Sequence, residues 1–154
     1  MQNKSSELTG YARRSSQTFD TKKMTYQINP KEIESVTSLP APERYAHFIS
    51  KCADWEEVWS LKNEEGFVSM SDNQGQPCIP FWPHPDYAKQ HSIDSWNDCE
   101  PTAIKLSDFT SWWIDGMEKD GIKVAIFPNT GEQGIVMNPS QIRSDLESEC
   151  EQYE

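Results

Sequence analysis

The stretch Cys78 to Tyr87, CIPFWPHPDY, limits what this chain can fold into more than any other ten residues of it. It holds three prolines, three aromatics, a cysteine and a histidine. Proline fixes φ near its helical value and removes an N–H, so neither a helix interior nor a fully paired strand runs through such a stretch. An edge strand tolerates the missing donor at Pro80, and Pro85 suits the first turn of a helix. The stretch therefore predicts a strand-to-helix corner, with His84 as the N-terminal cap of the helix.

The same punctuation recurs along the chain. Asn29-Pro30-Lys31-Glu32 combines an Asn cap, a Pro at the first helical position and a Glu at the third, the pattern of a helix start. The helix that follows turns Ile33, Val36 and Thr37 inward. Pro40 and Pro42 end it and open another, in which Tyr45, Phe48, Ile49 and Cys52 recur at helical spacing, with His47 off the stripe. After Asp54 the period changes to two, predicting strands at Val58 to Leu61, Phe67 to Met70 and Cys78 to Trp82, divided by turns at Asn63 to Gly66 and Asp72 to Gly75. A fourth strand is expected at Ala103 to Leu106, with Ser107 capping a helix from Asp108 to Lys119 that buries Phe109, Trp112, Trp113 and Met117 and closes at Gly121. Ile122 to Phe127 and Gly134 to Met137 predict a hairpin across Asn129 to Gln133. Asn138-Pro139-Ser140-Gln141 caps a last helix carrying Ile142 and Leu146 inward. Five helices and about six strands, with consecutive hairpins, predict a single α+β domain whose sheet is mixed or mostly antiparallel.

Composition sorts the chain into two parts. Residues 1–23 are poor in large apolar side chains, a composition that cannot repay the entropy of ordering, and predict a disordered tail ahead of a domain at 24–154. Met24 stands at that boundary as a candidate start of translation. The tail carries five basic and two acidic side chains of a chain with 14 basic and 25 acidic, which leaves nine basic against 23 acidic on the domain. Nucleic-acid binding draws most of its affinity from Lys and Arg on phosphates, so the domain is expected to bind no nucleic acid. A basic protein partner is its electrostatic complement. The apolar runs are far shorter than the roughly 20 residues of a membrane span, and the N-terminus lacks the apolar core of a secretory signal. Cys52, Cys78, Cys99 and Cys150 form no close pair, which predicts free thiols in a reducing cytoplasm.

The succession LPAPERYAHFISKCADWEEVWSL, QPCIPFWPHPDYA, KDGIKVAIFPNTGEQGIVMNP and a terminal EQYE resembles the bacterial family known as domain of unknown function 2750, over roughly residues 30 to 154. The resemblance carries no assigned activity, substrate or catalytic residue. A weaker likeness, in strand order and in the aromatic-Pro step before a short helix, is to the N-terminal domain of SseB-type proteins and to some toxin-immunity folds.

Each chemical motif has to be weighed against a structural role. Cys78, His84, His91 and Cys99 crowd one region but never as the close ligand pair that tetrahedral zinc sites favour; no metal and no cofactor are expected, His84 reading as a cap and His91 as a surface residue. Cys52 and Cys78 read as small core hydrophobes. Gly131-Glu132-Gln133-Gly134 has the spacing of an RNA-clamping loop, but Glu132 would repel phosphate, so it reads as a hairpin turn. Of the six tryptophans, Trp59, Trp112 and Trp113 fall in patterned segments and are expected in the core, whereas Trp55 and Trp82 sit at element edges beside charge, the setting of an interface anchor. The leading expectation is a non-enzymatic, acidic protein-interaction module that joins Asp54, Trp55, Glu56 and Glu57 to the corner at Trp82, His84 and Asp86, with an immunity-type role against a basic toxin as one form. The competing expectation is a small enzyme using His84 with Cys78 or a nearby carboxylate.

Overall fold

A computed structural model describes residues 27–129 and 134–153. The tail at 1–23, Met24 and the turn at Gly131 to Gln133 lie outside the described residues. Helix α1 spans Pro30–Thr37 and α2 Ala41–Trp55. Strands β1 (Glu57–Asn63), β2 (Gly66–Phe67), β3 (Met70–Ser71) and β4 (Pro77–Phe81) lead into helix α3 (Pro85–Lys89) and a 3₁₀ turn, Asp94–Trp96. Strand β5 (Glu100–Lys105) runs into a composite helix α4, α-helical at Leu106–Asp108 and Ile114–Asp120 with a π segment at Phe109–Trp113 between. Strands β6 (Lys123–Ile126) and β7 (Ile135–Met137) precede α5 (Pro139–Cys150).

The strands form two small sheets, ordered β2-β1-β5 and β3-β4-β6-β7. All neighbours are antiparallel except β4 and β6, which run parallel from Cys78↔Lys123 to Phe81↔Ile126. The chain is thus a mixed α+β domain with a largely antiparallel framework. An antiparallel bridge joins the sheets: Trp59 and Trp82 exchange both backbone hydrogen bonds at 2.8 Å, and Ser60 Oγ donates to the Pro80 carbonyl at 2.7 Å.

That junction explains Pro80. Strand β4 lies inside its sheet rather than at an edge, but β3 covers only its first two residues, so past Cys78 the side of β4 facing β1 needs no ladder donor. The expected strand Phe67 to Met70 is divided for a related reason. Phe67 pairs with β1 and Met70 with β4, so the segment changes partner between the sheets at Val68 and Ser69.

Aromatic rings lock α4 across both sheets. Trp113 meets Phe67 of β2 edge-on at 4.8 Å and Phe81 of β4 at 5.8 Å, and Phe109 meets Phe81 at 4.9 Å. Trp113 is fully buried, whereas Trp59 and Trp112 are only half-buried. Trp82, placed by its sequence at an edge, is fully enclosed, and its Nε1 donates to the Pro128 carbonyl at 3.0 Å.

Several helix starts differ from the pattern reading. Asn29 does cap α1, its Oδ1 accepting from Glu32 N at 2.8 Å. Ser107 is not a cap: α4 begins at Leu106, two residues before the expected start, with Lys105 in the cap position, and Leu106 N–H donates to the Glu56 carbonyl at 3.0 Å. Asn138 occupies the cap position of α5 without a side-chain bond there; Glu118 of α4 accepts from Ser140 N at 2.9 Å instead. At β7, Gly134 is required sterically, since a Cβ would lie 2.3 Å from the Ile126 carbonyl oxygen.

Candidate functional site

The Trp59–Trp82 bridge places the two segments singled out in the sequence on neighbouring backbone, Glu57 before the bridge on β1 and His84 beyond it after β4. Their side chains face different surroundings. Trp82 is 0% and His84 5% exposed, so neither presents a face to solvent. His84 caps α3 as its spacing predicts, Nδ1 accepting from Asp86 N at 3.1 Å. Asp86 is exposed beside it, its carboxylate 3.9 Å from the same nitrogen. Glu57 is buried, and its Oε1 accepts from Trp59 Nε1 at 3.1 Å. Trp55 is half-buried; Asp54 and Glu56 are exposed.

Glu56 belongs to a groove. It holds the end of α2 in the left-handed region, at φ 61° and ψ 34°, with its N–H on the Cys52 carbonyl. With Ala53 it faces Leu106, Ser107 and Thr110 of α4, and Glu147, Cys150 and Glu151 at the end of α5, around a cavity of about 540 Å³. Small-molecule pockets commonly have volumes of roughly 300–1,000 Å³. Three carboxylates, Glu56, Glu147 and Glu151, rim it over a floor of Ala53, Leu106 and Cys150.

Helix ends add to the field. The C-termini of α2 and α5 meet at this groove, and neither helix has a basic residue in its last turn to offset its negative pole. The N-terminus of α4 presents the opposite pole, but Asp108 stands in its first turn. The sum favours a positive group. Only Glu56 of this set belongs to the acidic segment visible in the sequence; Glu147 and Glu151 arrive from about 90 residues away because α5 packs along α2, where Tyr45 donates to Asp145.

A second concentration of chemistry surrounds the carboxyl ends of β4 and β6. His47 packs against Tyr87 and Phe127, His84 against Tyr87, and His91 against Trp82 at 4.9 Å. Thus His91, read from the sequence as a surface residue, is half-buried on an indole. Burial lowers the pKa of both His47 and His91; Lys51 lowers His47 further against the pull of Glu32, and a bond to the Pro128 backbone opposes the shift of His91. Arg44, 1% exposed, escaped the sequence reading. Its Nε donates to the Phe127 carbonyl at 3.0 Å and its guanidinium to the Leu39 carbonyl at 2.6 Å. Its position was legible, four residues before Phe48 and eight before Cys52 on the same helical face, but its charge argued for the surface.

No disulfide joins the cysteines among the described residues. Burial, then Asp72, pushes the Cys78 thiol up to about 12, and burial, then Glu57, raises the thiol of Cys52; both are weak nucleophiles in that state. Among the described residues no three His, Cys, Asp or Glu side chains gather as a metal site, and no helix is long and apolar enough to cross a membrane.

Fold and groove together define an α+β domain with an open, carboxylate-rimmed depression where three helix ends meet. The chain belongs to the family described as protein of unknown function, DUF2750, whose model matches residues 45–146, from within α2 to within α5. Searches of curated proteins and of solved structures return no match to this chain.

Proposed function

We propose that the protein is a non-enzymatic, acidic interaction module that receives a basic side chain of a partner protein in the groove between α2, α4 and α5. The observation that supports this most is the convergence of Glu56, Glu147 and Glu151 around one cavity with the C-termini of two helices that carry no basic residue in their last turn. The apolar floor suits the methylene stem of Lys or Arg, which lies along apolar surface while its charged head stays at the rim. Asp54, Trp55 and Glu57 flank this face; Trp82 and His84 would act from behind, holding the β1–β4 junction on which Asp86 is displayed. The excess of acidic side chains steers a basic partner and repels nucleic acid. An immunity-type role against a basic toxin is one concrete form of the proposal, and four cysteines with no close pair in the sequence accord with a reducing cytoplasm.

The test is a calorimetric titration of the full chain with a short tri-arginine peptide and its citrulline counterpart. Binding of the arginine peptide should weaken as ionic strength rises past about 0.15 M, where the screening length is about 8 Å. Glu147→Gln with Glu151→Gln should weaken it about fivefold, roughly 1 kcal/mol for two exposed carboxylates. Equal binding of the citrulline peptide, or an unchanged affinity in the double variant, would remove the groove from the interaction.

A further inference from the structure

We propose that the carboxyl ends of β4 and β6 carry a second binding site, for a small uncharged molecule bearing an amide or hydroxyl group, held between the His47 imidazole of α2 and the Tyr87 hydroxyl of α3. It shares no residue with the groove and does not depend on it.

Three independent observations meet there. First, Tyr87 is fully buried, yet its hydroxyl has no hydrogen-bond partner among the described residues, and the buried Nε2 of His47 has none either. Native folds rarely leave such groups unpaired, and here two sit on neighbouring rings whose centroids are 6.3 Å apart and whose planes stand at 84°. Second, Phe127, whose ring packs against both, is a non-glycine residue at φ 53°. Its N–H donates to the Phe81 carbonyl and its own carbonyl accepts from Arg44, so the fold holds it in a conformation that ordinary residues avoid. Backbone strain of that kind concentrates at ligand sites. Third, the place is the carboxyl end of the parallel pair of strands, where open sheets receive ligands.

Charge selects the ligand class. Glu32 and Asp86 act on Tyr87 and raise its pKa after burial, so an entering anion would meet two carboxylates. Arg44 lies against Phe127 and Lys51 acts on His47, so a cation would meet two positive groups. Burial shifts both His47 and Tyr87 toward their neutral forms. What remains is a neutral molecule that accepts a hydrogen bond from one ring and completes the other. Helix α1, with Val36 as its one buried side chain and Glu32 acting on both rings, is the element such a ligand would displace.

Acetamide titrated into the full chain, followed through the side-chain ¹⁵N signals of His47 and the ring signals of Tyr87, tests this directly. Saturable shifts at both rings are expected, with no saturable response to acetate or methylammonium at matched ionic strength. Tyr87→Phe, which removes one oxygen, should abolish the saturable shift while the methyl spectrum stays native, and Lys119→Gln, on the exposed end of α4, should retain it. Three results would overturn the proposal: no saturation, the same saturation in Tyr87→Phe, or a long-lived internal water bridging the two rings that acetamide does not displace.

Discussion

Glu56 shows how much one residue's backbone decides. A left-handed conformation costs an L-residue roughly 1–2 kcal/mol, and helices usually end with Gly there, yet Glu56 holds φ 61°. The turn directs β1 away from α2 and presents the carboxylate to the groove. Glu56→Gly should therefore stabilise the fold by about 0.5–1 kcal/mol, the released strain exceeding the added chain entropy, while weakening the arginine peptide. A urea midpoint that falls would show that the side chain contributes more than the strain costs. The acidic character of Asp54 to Glu57 was legible in the sequence. The left-handed turn was not, since no Gly or Asn marks it.

At the scale of elements, the caps and the apolar stripes were readable and the joints were not. His84 and Asn29 cap as their spacing requires, because an N-cap bond closes within two or three residues. The cap of α5 comes instead from Glu118, 22 residues earlier, and the strand Phe67 to Met70 divides between two sheets; no local pattern carries either fact. Arg44 is the joint between α2 and the end of β6. Arg44→Met keeps most of the buried stem but leaves the Phe127 and Leu39 carbonyls without their charged donor, a loss of about 2–4 kcal/mol. Arg44→Lys should recover little, because a point charge cannot reproduce the planar fork. Chemical denaturation of both variants measures this, and a full rescue by Lys would show that charge alone suffices.

Taken whole, the molecule combines an acidic composition with three buried or half-buried histidines gathered around the carboxyl ends of β4 and β6. His47 and His91 have pKa values lowered by burial, so the folded state favours their neutral forms. Their contribution to stability is complete above the unfolded pKa of about 6.5 and is lost as pH falls through the lowered folded values. The denaturation midpoint should drop between pH 7.5 and 5.5, and replacing both with Gln should flatten that drop; an unchanged slope would assign it to carboxylates. The sequence by itself determined the α+β class, most element positions, the family and the acidic charge, because helix caps, proline breaks and apolar periodicity act within a few residues and family patterns are linear. Only the tertiary structure decided which acids share a groove and that Trp82 and His84 lie inside. Both depend on α5 packing along α2 and on β1 bridging to β4, contacts between residues far apart in the chain whose geometry no local spacing encodes.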